Sequence, residues 1–479
     1  MKKTILSLTA FVAVSSAFAG GLLTNTNQNA AFVRNFAQEG KIDLTSIYAN
    51  PAGGAFLENG WHLSLNSQTA FQQRNIETTF PLFQYNTENH NSTHRFEGKA
   101  TAPVVPSFTV SYNKDKWSLS AHFAISGGGG KCEFDKGLGS FEAAYSGMIM
   151  QKMQTPGVLS GLLTQGFIAN GYDAATASAL ASTGQFKGYS VNSFMKGKSY
   201  HFGLQVGGTY KFTDNVSGFV GARGLYASSN YNGAVNPSIS YSFMTPQGEV
   251  NNTQALNNYG IDLNCDQTGF GVAVILGVDW KINDKWNVSA KYEAPTRLNL
   301  KNKSEIIVVD DLVKEKAADI LSQFEDGKKV REDVPALLAL GAQYSPTEKL
   351  RLCASYHQFF DKVSTKFLNK QDLIDHNTHE FILGAEYDIC KLITISGSWE
   401  TTRYGMSDEY MNDLSFNLSN HMIGGGVRIN ATKRLNIDLG YMCTFYEDRE
   451  VTTQTAAGPK TDLYSRKNHS FGIGFNIDL

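Results

Sequence analysis

Residues Phe270 to Lys281, FGVAVILGVDWK, alternate between two kinds of side chain. Large apolar side chains occupy every second position, namely Phe270, Val272, Val274, Leu276, Val278 and Trp280. The positions between them are Gly271, Ala273, Ile275, Gly277 and Asp279. Because successive side chains of a β-strand point to opposite faces, this period of two predicts a strand with one large apolar face. The run is also longer than the mean soluble strand of about 5–6 residues.

The same alternation recurs along the chain, for example at 200–212 and 471–479. Tight turns and long loops alternate between these runs. In an outer-membrane barrel the apolar face meets lipid, the periplasmic turns are short and the outer loops are longer. Tryptophans lie near the predicted periplasmic strand ends, as in an interfacial girdle: Trp61, Trp117, Trp280 and Trp286. The chain is therefore predicted to be an all-β, antiparallel transmembrane barrel, with a soluble sandwich as the alternative.

We predict fourteen strands, an even number that leaves both chain ends in the periplasm. They lie near residues 61–73, 100–112, 116–126, 199–212, 216–230, 267–282, 286–300, 332–344, 350–363, 378–388, 392–405, 418–429, 434–448 and 467–479. Closure of the sheet removes every strand edge, which lipid cannot hydrate. The barrel is expected to span residues 58–479.

The first nineteen residues have the features of a signal peptide. Lys2 and Lys3 precede an apolar run at 5–14, and Ala17-Phe18-Ala19 is a small-x-small cleavage site. The apolar run is too short for a membrane-spanning helix, which needs roughly 18 residues or more. We therefore expect export, with residues 1–19 removed and the mature chain starting at Gly20.

The net charge is −2 for the full chain, and removing the two lysines of the signal peptide gives −4. A mildly acidic chain without a basic tract argues against a nucleic-acid partner. Five cysteines are scattered along the chain, too few and too dispersed for a disulfide scaffold or a zinc site: Cys132, Cys265, Cys353, Cys390 and Cys443. Cys132 and Cys265 both fall in predicted outer segments, so they are either bonded to each other or free.

Residues 20–57 follow neither a helical nor a strand period for long. The stretch is polar, rich in Asn and Gly, and ends near Asn50, Pro51, Ala52 and Gly53. We predict that it folds back into the barrel lumen as a plug. Asn50-Pro51 is expected to form a turn, since Pro fixes φ and Asn bonds its own backbone; a hinge for plug movement is the functional alternative.

Two predicted outer loops, 127–198 and 301–331, are unusually apolar and contain helix-prone stretches. The first opens with Gly127, Gly128, Gly129 and Gly130. A candidate ligand groove in it comprises Met148, Ile149, Met153, Leu159, Leu162, Leu163 and Phe167. Apolar patches on an exported surface often bind apolar ligands, and Met adapts to their shapes. The alternative is that these helices pack on one another as a cap.

The N-terminal stretch resembles the start of the FadL-type long-chain fatty acid transporters of Gram-negative outer membranes. The matching residues are Asn29-Ala30-Ala31, then 34–40 with Glu39-Gly40, and Asn50-Pro51-Ala52-Gly53. The fourteen predicted strands, the plug and the two apolar insertions agree with the same family. The resemblance covers the whole mature chain.

This resemblance implies passive uptake of hydrophobic molecules, with no energy source and no cofactor. It implies capture in an outer apolar groove, transfer to a lumenal pocket, and release through plug movement and a kinked third strand. The glycines at 127–130 directly follow the third predicted strand and are candidates for that kink, because glycines bend strands; a flexible exit from the strand into the loop is the alternative. The implied partners are a long-chain fatty acid or another hydrophobic small molecule, and the lipid and lipopolysaccharide of the outer membrane around a monomer.

A fatty acid also needs a partner for its carboxylate. Four basic residues fall on predicted lumen faces: Lys211, Arg223, Lys291 and Arg351. Arg can hold a carboxylate through two hydrogen bonds. Lumenal ion pairs are the structural alternative, because Glu293 is one lumenal step from Lys291.

Three other functions compete with fatty acid transport. Catalysis is not expected, since the chain has no Gly-x-Ser-x-Gly, His-Glu-x-x-His or phosphate-loop motif, and no metal site is predicted. A general porin would share the barrel but not the plug. A receptor or channel for aromatic hydrocarbons or haem would share the architecture and differ in its ligand.

Overall fold

The computed structural model of the protein describes residues 21–413 and 415–479, leaving aside the side chains of Gly129, Lys316, Asp319 and Ile320. The predicted signal peptide and Gly20 lie outside the described residues. Most of the described chain is β-strand, and the helices are short and few.

The strands are, in chain order, β1 (Gly60–Thr79), β2 (Thr93–Lys114), β3 (Trp117–Phe134), β4 (Gln185–Lys211), β5 (Val216–Thr245), β6 (Gly248–Ala255), β7 (Ile261–Lys281), β8 (Trp286–Glu293), β9 (Asn299–Val308), β10 (Lys329–Arg331), β11 (Leu337–Tyr344), β12 (Leu350–Phe359), β13 (Thr378–Asp388), β14 (Ile393–Arg403), β15 (Asn420–Asn430), β16 (Leu435–Tyr446), β17 (Arg449–Thr455) and β18 (Gly458–Asp478). The helices are α1 (Ala30–Arg34), α2 (Gly139–Met153), α3 (Val158–Ala169), α4 (Ala174–Ser182) and α5 (Asp311–Phe324).

Fourteen of the described strands close into an antiparallel barrel, as predicted. Each strand pairs with the next one along the wall, and β18 closes the circle by pairing with β1 along their lengths, from His62 opposite Asp478 to Thr79 opposite Thr461. The other strands belong to the outer side: β6 and β17 extend hairpins with β5 and β18, β9 continues β8 after an interruption, and β10 pairs with β9. The prediction of a closed barrel with short helices in its outer loops is confirmed.

The stretch FGVAVILGVDWK forms the last part of β7, and its two faces separate as predicted. The apolar series faces outward, from Phe270 at 64% exposed to Val278 at 44%. Ile275 and Asp279 point inward and are fully buried. The outer face of the barrel is therefore apolar although it is exposed, which is the pattern of a wall that faces lipid.

Aromatic pairs gather at the end of the barrel where the turns are short. The ring of Trp61 lies 4.8 Å from that of Tyr112, and the ring of Trp117 lies 4.5 Å from that of Tyr210. Trp286 stacks on Tyr344 at 4.4 Å in the same region. These pairs form the kind of aromatic girdle expected at a membrane interface.

Two of the predicted strands have wrong boundaries, and a proline explains each of them. The predicted strand 286–300 is interrupted between Glu293 and Asn299, and the predicted strand 332–344 begins only at Leu337. Pro295 and Pro335 lie in these gaps. Because proline has no N–H to donate, it interrupts a ladder. The two gaps face each other, joined by a single bridge between Thr296 and Val334.

The outer loops are shorter than predicted, because the strands continue past their predicted ends. The stretch expected to be loop from 127 to 198 begins with the end of β3 and finishes with the start of β4, so only residues 135–184 remain between them. Likewise β9 occupies much of the predicted loop 301–331, ahead of α5. Within the described part of the chain, no helix is long and apolar enough to cross a membrane.

Candidate functional site

The N-terminal segment, residues 21–57, lies inside the barrel and is almost entirely buried. Its polar groups bond to inward-facing side chains from strands on opposite sides of the wall. Thr209 on β4 donates to the carbonyl of Pro51, whereas Ser398 on β14 accepts from the N–H of Phe36. The segment therefore bonds to inward-facing groups on both sides of the barrel.

The turn at Asn50 begins a short 3-10 helix, Pro51–Phe56. The Asn50 side chain accepts from the N–H of Gly53 at 3.1 Å, and its Nδ2 donates to the carbonyl of Lys41 and to the Asp279 carboxylate. Asn50, Pro51, Ala52 and Gly53 thus form a capped turn that is anchored to the wall at β7.

Charged side chains of the segment make buried ion pairs with the wall. Glu386 on β13 receives both Arg34 and Lys41, at 2.9 and 2.7 Å. Asp43 pairs with Arg428 on β15 at 2.5 Å. Although burial alone raises the pKa of the Asp43 carboxyl, Arg428 and Lys41 hold it well below its usual value. These pairs hold the segment electrostatically, since a buried charge without its partner is costly.

The Glu39-Gly40 pair lies directly against the wall. The Glu39 carboxylate lies 2.8 Å from Nε2 of His357, whose Nδ1 lies 2.7 Å from Glu380. A Cβ on Gly40 would lie 2.3 Å from the backbone carbon of Ala342, so only glycine fits there. The ion pair with His357 explains a carboxylate at position 39, and the close contact with Ala342 explains a glycine at position 40.

Two of the four predicted basic residues hold the middle of the segment. Arg223 grips the Glu293 carboxylate with two hydrogen bonds, at 2.6 and 3.0 Å, and Lys291 lies 2.8 Å from the same carboxylate. The ring of Tyr48 lies between them, 4.6 Å from the Arg223 guanidinium and 4.4 Å from the Lys291 ammonium. A ligand carboxylate would have to replace Glu293 to bind here.

The other two basic residues lie nearer the turn end of the barrel. Arg351 pairs with Asp388 at 2.6 Å and with Glu386 at 3.3 Å. Lys211 lies 5.3 Å above the ring of Phe56, at the end of the segment. The structure therefore distributes the four residues along the segment and does not gather them into one anion site.

The wall is interrupted between β2 and β3. Residues 98–100 and 108–114 of β2 pair with β3, but the described residues 101–107 between them have no partner there. Pro103 and Pro106 lie in this unpaired stretch, where they remove two N–H donors. On the other side of β3, the register with β4 shifts at Gly127 and again at Gly130. The predicted glycines therefore lie at an irregular part of the third strand.

The start of the segment covers this interruption from inside. Asn25 donates from its backbone N–H to the carbonyl of Ser126 at 2.9 Å and from its side chain to the carbonyl of Ile125 at 3.1 Å. The segment thus supplies β3 with some of the hydrogen bonds that β2 does not. Sequence reasoning missed the two prolines, which were the available signal for this interruption.

We predict that Gly127→Ala loosens the start of the segment. A Cβ on Gly127 would lie 2.2 Å from the carbonyl oxygen of Leu23 and 2.8 Å from Nδ1 of His201, so one of them must move. Overpacking of this kind costs about 1–3 kcal/mol. Hydrogen exchange at residues 21–28 should accelerate about tenfold to a hundredfold. In the control Gly208→Ala, the new Cβ meets Leu119 Cδ2 at an ordinary 3.6 Å, and exchange should not change; equal exchange in both variants would contradict the prediction.

The predicted outer groove residues come together in one apolar cluster above the barrel. Ile149, Leu163 and Phe167 are buried in it, with Met153, Leu159 and Leu162 packed partly exposed against them. The floor consists of side chains from the extensions of β4 and β5: Tyr189, Ile239, Tyr241 and Phe243. Met148 instead packs on a neighbouring apolar cluster. Exposed apolar side chains border the first cluster at Ile168, Tyr172 and Met244.

The five cysteines are free, so Cys132 and Cys265 are not bonded. Cys132 on β3 lies opposite Gly197 on β4, Gly197 lies opposite Tyr231 on β5, and Tyr231 lies opposite Cys265 on β7. The two cysteines are therefore three strands apart. Neighbouring strands are about 4.8 Å apart, which puts the two thiols beyond the reach of a disulfide. Among the described residues, no group of three or more His, Cys, Asp or Glu could hold a metal ion.

No protein-family model and no curated protein matches the chain, but solved structures do. A FadL homologue from Pseudomonas aeruginosa has a TM-score of 0.62 at 15% identity, over 96% of this chain and 100% of that one. This chain has the FadL fold. A deltaS2 mutant of the monoaromatic hydrocarbon channel TodX has a TM-score of 0.56 at 12% identity, over 95% of this chain and 99% of that one.

The toluene transporter TodX of Pseudomonas putida has a TM-score of 0.50 at 13% identity, over 98% of this chain and 99% of the other. Identities this low establish the fold and leave the ligand open, since one fold can serve several functions. The FadL fold is here common to a FadL homologue and to hydrocarbon channels. The choice of ligand has to come from the residues of this chain.

Proposed function

We propose that the protein is a passive channel for hydrophobic compounds in the outer membrane of a Gram-negative bacterium, with long-chain fatty acids as its substrate class. The apolar outer face would lie in lipid, with lipopolysaccharide around the outer loops. The working unit would be a monomer without a cofactor, and residues 20–57 would act as its plug, with the capped turn at Asn50 and Pro51 as the hinge.

The observation that carries this proposal is the burial of the N-terminal segment against inward-facing side chains of the barrel. A porin needs an open aqueous path, whereas residues 21–57 are tied to the wall by ion pairs such as Arg34 with Glu386, which supports a plug. A plug suits regulated passage of a ligand rather than free diffusion of small solutes. This favours a gated transporter over the porin alternative.

The apolar surfaces suggest a route through the molecule. The outer cluster around Leu163 and Phe167 would capture the ligand. The first residues of the segment, Leu22 and Leu23, pack in separate apolar clusters, so their movement would free apolar space. Each CH₂ that leaves water gains roughly 0.8 kcal/mol, so an acyl chain favours a continuous apolar path. The unpaired β2 residues 101–107 would then offer an exit through the wall.

Aromatic hydrocarbons are the second candidate substrate, because TodX, a toluene transporter, shares this fold. Haem is a third possibility, suggested by the apolar outer surface alone. The ligands differ in charge: toluene carries none, whereas a fatty acid brings one carboxylate. The fold gives no preference between them.

Equilibrium binding of a radiolabelled 16-carbon fatty acid to the purified protein in detergent tests the proposal. We expect saturable binding that other long-chain fatty acids displace and that toluene and haem do not. Displacement by toluene or haem alone would assign the protein to that ligand instead. If no labelled acid binds and small sugars pass through reconstituted protein, the porin alternative is correct.

A further inference from the structure

The ammonium of Lys370 is shielded from solvent and has an incomplete environment, although part of the side chain is exposed. It lies in the loop between β12 and β13, in the short 3-10 segment Phe367–Leu373. Its Nζ is shielded from solvent and has no hydrogen-bond partner among the described residues. An ammonium group normally uses three donors. A buried ammonium that uses none is costly unless something anionic completes it.

The groups around Lys370 leave this cation without a carboxylate of its own. Glu332, whose charge acts on Lys370, already pairs with Lys366 at 3.3 Å and accepts from the N–H of Phe367. The ring of Tyr410 lies 5.0 Å from the Lys370 ammonium and offers only its π-face. Asp361, also close to Lys366 and Tyr410, accepts from the N–H of Thr378.

Apolar side chains adjoin the ammonium. Tyr410 belongs to a cluster with Ile374, Met406 and Leu22, and Leu22 is only 4% exposed in it. Leu22 is the one member contributed by the N-terminal segment. If the segment moves, Leu22 leaves an apolar space that is bordered by Ile374, Met406 and Tyr410, with the Lys370 ammonium beside it.

We propose that Lys370 is the anchor for the carboxylate of an anionic apolar ligand, whose hydrocarbon chain takes the place of Leu22 against Ile374, Met406 and Tyr410. The inference rests on the proposed function and names the residue that would determine whether the protein prefers an anionic or an uncharged ligand. Lys370 would favour a fatty acid over an uncharged hydrocarbon or alcohol of the same length, because only the acid supplies the missing charge and hydrogen bonds.

The protonation of Lys370 supports the same assignment. Burial lowers the pKa of its ammonium to about 8, with Glu332 raising it and Lys366 lowering it further. Below that pH the site is cationic and binds a carboxylate. As the pH rises through about 8, the free protein loses the proton, so carboxylate binding weakens while binding of a neutral ligand does not change.

The test compares palmitate with hexadecanol on the full-length protein in detergent. Lys370→Met keeps the length of the side chain and removes the charge. We expect palmitate affinity to fall about tenfold to a hundredfold, and hexadecanol affinity to stay the same or rise. The control is Lys362→Met, an exposed lysine of the same loop, which should change neither. Lys370→Arg should retain palmitate binding.

The pH arm uses the same two ligands. Between pH 8 and pH 9 palmitate affinity should fall about fivefold in the unchanged protein and stay flat in Lys370→Arg, whose guanidinium remains charged. Equal losses of both ligands in Lys370→Met would mean a packing role and overturn the inference. Unchanged palmitate binding in Lys370→Met would place the carboxylate partner elsewhere. If the unchanged protein binds neither ligand, the proposed function fails as well.

Discussion

Replacing Glu386 by alanine should convert a filled barrel into a conducting one. This single carboxylate holds two cations of the N-terminal segment, Arg34 at 2.9 Å and Lys41 at 2.7 Å. It also lies 3.3 Å from Arg351 of the wall. The variant would remove the carboxylate that pairs with Lys41 and would leave Arg34 with Asp438 alone.

The expected effect is large because removing one partner of a buried ion pair costs about 3–5 kcal/mol. A cost of that size raises the population of the released segment about a hundredfold to several thousandfold. We expect frequent long-lived openings in planar bilayers, where the unchanged protein is closed, and sensitivity of cells to antibiotics too large for ordinary porins. Cleavage of the segment by added protease should increase in parallel.

The matched control is Asp388→Ala on the same strand. Asp388 binds Arg351 through two hydrogen bonds, at 2.6 and 2.7 Å, and accepts from Thr394, all within the wall. Its loss disturbs β13 without removing an ion pair of the segment, so the barrel should remain closed. If Glu386→Ala is as closed as Asp388→Ala, the ion pairs are not what retains the segment.

The barrel was predictable because its signal is local. In β7, alternate residues from Phe270 to Trp280 are enough to define which face meets lipid, and the other strands repeat that pattern independently. Strand ends were less predictable, since β8 stops after Glu293 although its apolar alternation continues. Pro295 was visible there, but its consequence depends on Pro335 in the neighbouring strand.

The lumenal contacts could not be predicted, because they join residues far apart in the chain. Arg34 meets Asp438 at 3.1 Å, and no spacing in the sequence indicates that pairing. The predicted basic residues Arg223, Lys291 and Arg351 do face the lumen, yet each meets a protein carboxylate. Lys370 was not predicted, because it lies in a loop and its ammonium is shielded only when that loop packs near Tyr410.

The second large effect is expected from substitutions in the outer apolar cluster, where some side chains remain accessible to a ligand. Leu162 is half-buried on α3 and Ile168 is exposed near the end of the same helix, whereas Leu163 between them is fully buried in the cluster. A ligand captured from the medium would meet Leu162 and Ile168 first. The double variant Leu162→Gln with Ile168→Gln removes this apolar surface and leaves the buried part of the cluster intact.

We expect the double variant to weaken capture of a 16-carbon fatty acid about a hundredfold. Burial of each aliphatic side chain against the ligand is worth about 1.5 kcal/mol at the lower end, which gives about 3 kcal/mol for the two. The loss should appear mainly in the association of dilute ligand with intact cells. The thermal stability of the purified barrel should stay within a few degrees of its original value.

Val363→Gln is the control for this variant. Val363 is 78% exposed and lies in the loop between β12 and β13. The substitution therefore removes an exposed apolar side chain of the outer surface that lies away from the cluster. Capture should be unchanged. Should the double variant and Val363→Gln both bind like the unchanged protein, the cluster is a cap formed by packed helices. A selective loss in the double variant requires direct contact with the ligand, because the buried side chains that hold the helices together are the same in both.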